Sequence, residues 1–287
     1  MKVACFALDG VRGIGLVDEA AAAVRPFEPP FADMVALIER FDEVRDGPRT
    51  GAPIPLAQVK LLAPIPEPRR NIFCVGKNYR DHAREFAGSG FEAGAVKGQE
   101  IDAYPAVFTK PPSSVIGPGD TVDLHANVTQ AVDYEAELTI VIGKAGRDIP
   151  AERAFEHIFG YTIINDVTAR DRQKNHKQWF MGKALDTFCP MGPWITTADE
   201  IDAETLQVIC RVNGELRQNA NTRDLIFGIP SLIATISGGL TLVPGDLIAT
   251  GTPAGVGIGF NPPKFLEAGD EVAITISGIG TLMNRFA

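Results

Sequence analysis

The feature that most constrains this chain is the run Val132-Asp133-Tyr134-Glu135-Ala136-Glu137-Leu138-Thr139-Ile140-Val141-Ile142. β-Branched residues crowd its second half and Gly143-Lys144-Ala145-Gly146 closes it, the pattern of a β-strand ending in a turn. Alternation along a strand puts Tyr134, Ala136, Leu138, Ile140 and Ile142 on one apolar face and turns Glu135 and Glu137 together to the other. Neighbouring carboxylates repel, and burying either without a partner is costly. Either the pair lies on a solvated sheet edge, or a cation sits between them. A hard dication such as Mg²⁺ or Mn²⁺ suits all-oxygen ligation.

Composition narrows the possibilities. A chain of 287 residues exceeds one comfortable core, so a large domain and a small one are expected. A net charge of −9 argues against nucleic acid or an anionic membrane as the main partner. An acidic substrate would need local cations or a metal to offset that field. Cys5, Cys74, Cys189 and Cys210 form no C-x-x-C pair and read as reduced, mostly buried thiols of a cytoplasmic protein. The N-terminal apolar run is too short for a signal peptide, and no stretch reaches transmembrane length.

Along the chain, residues 2–8 and 13–18 read as strands joined around Asp9-Gly10. The glycines at 10, 13 and 15 are not followed by a helix to receive a pyrophosphate, so a dinucleotide loop is discounted. Met34, Leu37, Ile38 and Phe41 form one helical face that stops at Gly47-Pro48. Dense proline from Pro53 to Pro68 then suggests a short strand and a stiff linker, ending a small N-terminal domain at residue 68. A buried strand, Asn71 to Gly76, leads into a helix carrying His82 and Glu85, three apart and on one face. That pair is either a poised base or a surface ion pair. Glycine-rich residues 86–94 read as a lid or an ordinary loop. Three turns, Pro118-Gly119-Asp120, Pro244-Gly245-Asp246 and Ala268-Gly269-Asp270, each precede a short strand and point to a folded-over sheet or barrel.

Between these turns a short helix is expected to stop at Gly160, and a strand from Tyr161 to Asn165 delivers Asp166 at its end. Thr168 is expected to cap the helix that follows, and Lys183 to sit in an irregular segment with few competing charges. A helix over about 222–237 is kinked or restarted at Pro230. The glycine-rich run from Thr250 to Gly259 is followed by Asn261-Pro262-Pro263 rather than a helix, so it reads as a substrate wall or a plain turn. Three carboxylates, a His–Glu pair and one isolated lysine together point to metal-assisted acid–base chemistry.

The order of these segments resembles the fumarylacetoacetate hydrolase family. The stretches Val75-Gly76-Lys77-Asn78-Tyr79-Arg80-Asp81-His82, Lys110-Pro111-Pro112-Ser113 and Asp133-Tyr134-Glu135-Ala136-Glu137-Leu138 carry the likeness. It continues through Gly160 to Asp171, Gly182-Lys183-Ala184-Leu185-Asp186-Thr187-Phe188 and Thr250-Gly251-Thr252-Pro253-Ala254-Gly255-Val256-Gly257. The resemblance implies an α+β, mainly β fold, with a mixed β-roll or barrel catalytic domain over 69–287, usually as a homodimer. It implies Mg²⁺, or Mn²⁺ or Ca²⁺, held by Glu135, Glu137 and Asp166. His82 and Glu85 would form a catalytic dyad assisted by Lys183, with Gln173, Arg170, Gly251 and Thr252 contacting substrate. The implied reaction is hydrolysis of a C–C bond in a 2,4-dioxo acid through a metal-stabilised enolate. The same site would serve an isomerase, tautomerase or decarboxylase of 2-oxo or 2-hydroxy-dienoic diacids, and a non-catalytic ligand-binding protein is the remaining alternative. Two departures stand where specificity would be set: Lys77 replaces a neutral or different side chain, and the 86–104 loop does not match.

Overall fold

The computed structural model describes residues 1–91 and 102–287. Part of the expected lid, residues 92–94, and most of the unmatched loop therefore lie outside the described residues. Strands dominate, and they assemble into sheets of twelve, five and two strands among the described residues. The fold is mainly β with a few short helices, as the resemblance implied.

The Asp9-Gly10 hairpin forms, with Lys2–Leu8 antiparallel to Val11–Asp18. Asp33 caps the helix Met34–Glu39 by accepting the Ala36 amide, and Met34, Leu37 and Ile38 are buried. This helix ends at Arg40, earlier than the Gly47-Pro48 stop expected, because the Arg40 amide tightens back onto Leu37 and a 3₁₀ turn carrying Phe41 follows. Lys2–Leu8 also pairs with Cys189–Thr197, and the large sheet continues through Ile158–Asn165, Ala136–Ile142, Leu247–Ala249, Ile72–Gly76 and Ala106–Lys110. All three Gly-Asp turns carry the same local bond: Asp120, Asp246 and Asp270 each accept the amide three residues upstream.

The run from Val132 to Ile142 is not one strand. Val132–Asp133 pairs with Thr168–Ala169 in a separate two-stranded ladder, and Ala136–Ile142 enters the large sheet. Tyr134 and Glu135 form the corner, where Asn165 Oδ1 accepts the Glu135 amide at 3.0 Å in place of a ladder bond. From Ala136 onward the alternation holds. Leu138, Ile140 and Ile142 join an apolar cluster with Val208, Ile274 and Ile233, and Val141, on the opposite face, joins one containing Leu37, Ile164 and Ile195. Each fully buried aliphatic side chain contributes about 1.5–3 kcal/mol. With both faces covered the sheet has no solvated side here, so the solvated-edge reading of the glutamates does not hold.

Other local expectations are corrected too. The helix expected to stop at Gly160 is a 3₁₀ segment, Ala151–His157, and the next strand already runs from Ile158 through Gly160, its register set by pairing with Cys189–Thr197. Residues 222–224 form a 3₁₀ turn, and the apolar helix Ile229–Ser237 restarts with Pro230 in its first turn, where the missing amide costs nothing. Thr168 does not cap the helix Arg170–His176, because its hydroxyl donates to the Asp166 carbonyl at 2.9 Å. Lys183 lies in a helical turn, Phe180–Lys183, rather than in an irregular segment.

Candidate active site

The corner in the Glu135 chain and the end of the neighbouring strand make the site. Ala136 pairs with Asn165, so Asp166 emerges beside Glu135, and its amide donates to the Glu135 carbonyl at 2.9 Å. One oxygen from each of Glu135, Glu137 and Asp166 lies within 4.8 Å of the others. Glu135 is 5% exposed and Glu137 1%.

Cations thread between these acids. Lys183 Nζ donates to Glu135 Oε2 at 2.8 Å and to Asp166 Oδ2 at 2.6 Å. The scarcity of competing charges around Lys183 expected from local sequence does not hold, since both acids are remote in the chain and adjacent in space. Arg170 lies 2.7 Å from Glu135 Oε1 and donates from Nε to Asp133 Oδ2 at 2.9 Å. Burial opposes ionisation of Glu135, but Lys183 and Arg170 together outweigh it and hold the carboxyl down at about 2. Burial likewise opposes the charge of Lys183, and Asp166 and Glu135 raise its pKa regardless.

Glu137 is the exception. No lysine or arginine pairs with it among the described residues, and Oε2 accepts only the Gly251 amide, at 2.9 Å. Burial first, then the charges of Asp166 and Glu135, push its carboxyl well above the usual range. A buried carboxyl without a cation, converging with two further carboxylates, is the donor set of a hard oxygen-loving dication, and the residues fit such an ion.

His82 and Glu85 share the helix Arg80–Ala87, with Nδ1 3.2 Å from Glu85 Oε2. Glu85 is held in turn by the Gly255 amide, at 3.0 Å and 3.2 Å from its two oxygens. A Cβ at Gly259 would stand 1.7 Å from Glu85 Oε1, so a side chain there would displace the Glu85 carboxylate. The same loop donates the amides of Gly257 and Ile258 to Asp133. The run from Thr250 to Gly259 is therefore neither a plain turn nor a nucleotide cradle: its amides hold Glu137, Glu85 and Asp133.

His82, Glu137, Arg170, Gln173, Lys183 and Thr252 line one narrow cleft, with Phe108 and Trp179 as aromatic wall. Gln173 Oε1 accepts from Arg170 at 3.2 Å, and Thr252 Oγ1 accepts from Gln218 at 2.8 Å. Gly251 is placed differently, since its amide serves Glu137 behind the wall. Sequence reasoning left Lys110 and Asp133 without a role. Lys110 Nζ is buried and donates to Asp166 Oδ1 at 2.7 Å, to the Val167 carbonyl at 3.1 Å and to the Lys183 carbonyl. Its only local signal was a lysine at a strand end before two prolines.

Comparison with known proteins agrees with this geometry. The family model described as fumarylacetoacetate (FAA) hydrolase C-terminal matches residues 71–287. Oxaloacetate tautomerase YisK of Bacillus subtilis (strain 168) is 57% identical over 231 residues, 80% of this chain and 74% of that protein. A fumarylacetoacetate hydrolase from psychrophilic Exiguobacterium antarcticum superposes with a TM-score of 0.84 at 44% identity, covering 100% of this chain and 99% of the other. Maleylpyruvate hydrolase from Sphingobium sp. SYK-6, solved with manganese(II) and pyruvate, superposes with a TM-score of 0.78 at 34% identity, again over 100% and 99% of the two chains. By sequence and by structure, the chain belongs to the fumarylacetoacetate hydrolase family.

Proposed function

We propose that the protein is a divalent-metal-dependent tautomerase of a small 2-oxo dicarboxylic acid of the oxaloacetate type. The observation that carries this reading is His82, bonded to Glu85, lining the same narrow cleft as Glu135 and Glu137 of the carboxylate triad. Further support is the 57% identity to an oxaloacetate tautomerase.

Tautomerisation moves one proton from C3 of the keto acid to the C2 oxygen and needs no second reactant. With Nδ1–H donated to Glu85, His82 keeps its lone pair on Nε2, the atom available to take the C3 proton. Glu85 holds the ring in that orientation and stabilises the imidazolium. Lys183 and Arg170 place positive charge where the C2 oxygen gains electrons. Glu135, Glu137 and Asp166 would hold the metal, whose contribution when bound is Lewis acidity that lowers the cost of forming an enolate. Trp179 and Phe108 keep one wall apolar and limit water access.

C–C hydrolysis of a 2,4-dioxo acid is the second reading, supported by the likeness to maleylpyruvate hydrolase. One assay separates the two. Metal-stripped protein is given oxaloacetate or an acylpyruvate, with and without Mg²⁺ or Mn²⁺, and followed by ultraviolet absorbance and proton NMR. Metal-dependent keto–enol interconversion without a new fragment is the expected result. Pyruvate released from the acylpyruvate, with no acceleration of oxaloacetate tautomerisation, would overturn the tautomerase reading in favour of the hydrolase.

A further inference from the structure

One cation on the cleft has no task in the reaction above. Lys77 follows the strand Ile72–Gly76, and its backbone sits in the left-handed region at φ 55. Residues with side chains adopt that conformation only where the surroundings hold them there. Beside it, the Trp179 ring presses on Gly76 so closely that a Cβ would lie 2.0 Å from the indole. The Lys77 side chain is 13% exposed and lines the same cleft as His82 and Arg170.

The other cations there pair with buried acids, although Arg170 Nη2 has no hydrogen-bond partner among the described residues. Arg170 is shared by Asp133 and Glu135, and Lys183 by Glu135 and Asp166. Lys77 has a partner of another kind: Asp102, outside the carboxylate cluster, with Oδ2 2.5 Å from Nζ and a side chain 37% exposed. An ion pair to a solvated carboxylate contributes little, because water replaces the partner readily. A carboxylate arriving from the cleft can therefore take the place of Asp102, which returns to solvent.

We propose that Lys77 is a specificity residue that binds the second carboxylate of a dicarboxylic 2-oxo acid, with Asp102 as its resting partner. This rests on the tautomerase reading for the substrate class, and it adds what distinguishes a diacid from a monoacid. Two substrates differ only at that end: oxaloacetate, and 2-oxobutyrate with a methyl group in place of the distal carboxylate. Both retain the 2-oxo acid and an exchangeable C3 proton. Malate and 2-hydroxybutyrate form the matching pair that cannot enolise, and they report binding without turnover.

The experiment compares wild type, Lys77→Met and Lys77→Arg in the Mn²⁺-loaded protein. Calorimetry gives Kd for malate and 2-hydroxybutyrate, and deuterium exchange at C3 gives kcat and KM for the two oxo acids. Expected for Lys77→Met is a tenfold or greater weakening of malate and a matching rise in KM for oxaloacetate. Values for the monoacids should stay within twofold, kcat should hold, and Lys77→Arg should restore most of the preference. Equal losses on diacid and monoacid, or wild-type protein that binds malate no better than 2-hydroxybutyrate, would overturn the assignment. Should the binding preference behave as expected while no C3 exchange occurs, the tautomerase reading fails and the Lys77 assignment stands.

Discussion

The backbone amide of Gly251 donates to Glu137 Oε2 at 2.9 Å, and no lysine or arginine among the described residues joins it there. One neutral donor on a buried carboxyl beside two other acids leaves Glu137 holding a proton more tightly than usual. Glu137→Gln keeps the shape and removes the repulsion. The metal-free variant should melt at or slightly above the wild-type temperature. The stabilisation that Mn²⁺ gives wild type, about 2.7 kcal/mol at a hundredfold excess over Kd and read as a rise in Tm, should be largely lost. Thermal melts with and without Mn²⁺ test this, and a variant with an undiminished metal shift would remove Glu137 from the ligand set.

The His82–Glu85 pair should behave as a base and its orienting group. His82→Ala is expected to lower kcat by about 10²–10⁴-fold. Glu85→Gln should cost less, because the Gly255 amide still has an oxygen to bond. Metal-dependent Tm shifts should persist in both variants, since neither residue belongs to the carboxylate triad.

Lys110 makes the clearest stability prediction. Its ammonium satisfies Asp166 Oδ1 and the Val167 and Lys183 carbonyls in a fully buried setting. Lys110→Met leaves those acceptors unpaired, and removing one partner of a buried ion pair costs about 3–5 kcal/mol. Urea titration should show that loss for Lys110→Met and little change for Lys77→Met, whose acidic partner is solvated.

Alkaline pH should weaken the fold in a definable window. Burial raises the Cys189 thiol from an ordinary 9.0 to about 12, and burial raises Cys74 and Cys210 as well. A group whose folded pKa lies above its unfolded value stabilises fully below the unfolded value. Stability therefore holds to about pH 9 and falls progressively towards pH 12 as unfolded thiols ionise. Urea midpoints measured from pH 7 to 11 should decline only above 9, and replacing Cys189 by alanine should flatten that decline. In the folded protein at pH 8, alkylating reagents should label none of the four buried cysteines.

Much of this protein is readable from local pattern. The alternation after Ala136, the Asp9-Gly10 hairpin, the helical face of Met34, Leu37 and Ile38 and the three Gly-Asp turns depend on residues within a few positions of each other. The family motifs likewise brought Glu135, Glu137, Asp166, His82 and Glu85 forward as site residues, and the fold confirms that the three acids converge. Only the tertiary structure decided how the charges are partnered. Lys110 reaches Asp166 across 56 positions, Glu85 meets Gly255 across 170, and Asp133 is held by amides more than a hundred residues away. Such partners leave no period or spacing in the chain, because they arise where separate strands and a loop close on one another. The same closure turned an apparent solvated strand edge into a buried corner, since burial depends on what covers a face and a strand's own sequence records only that it has two.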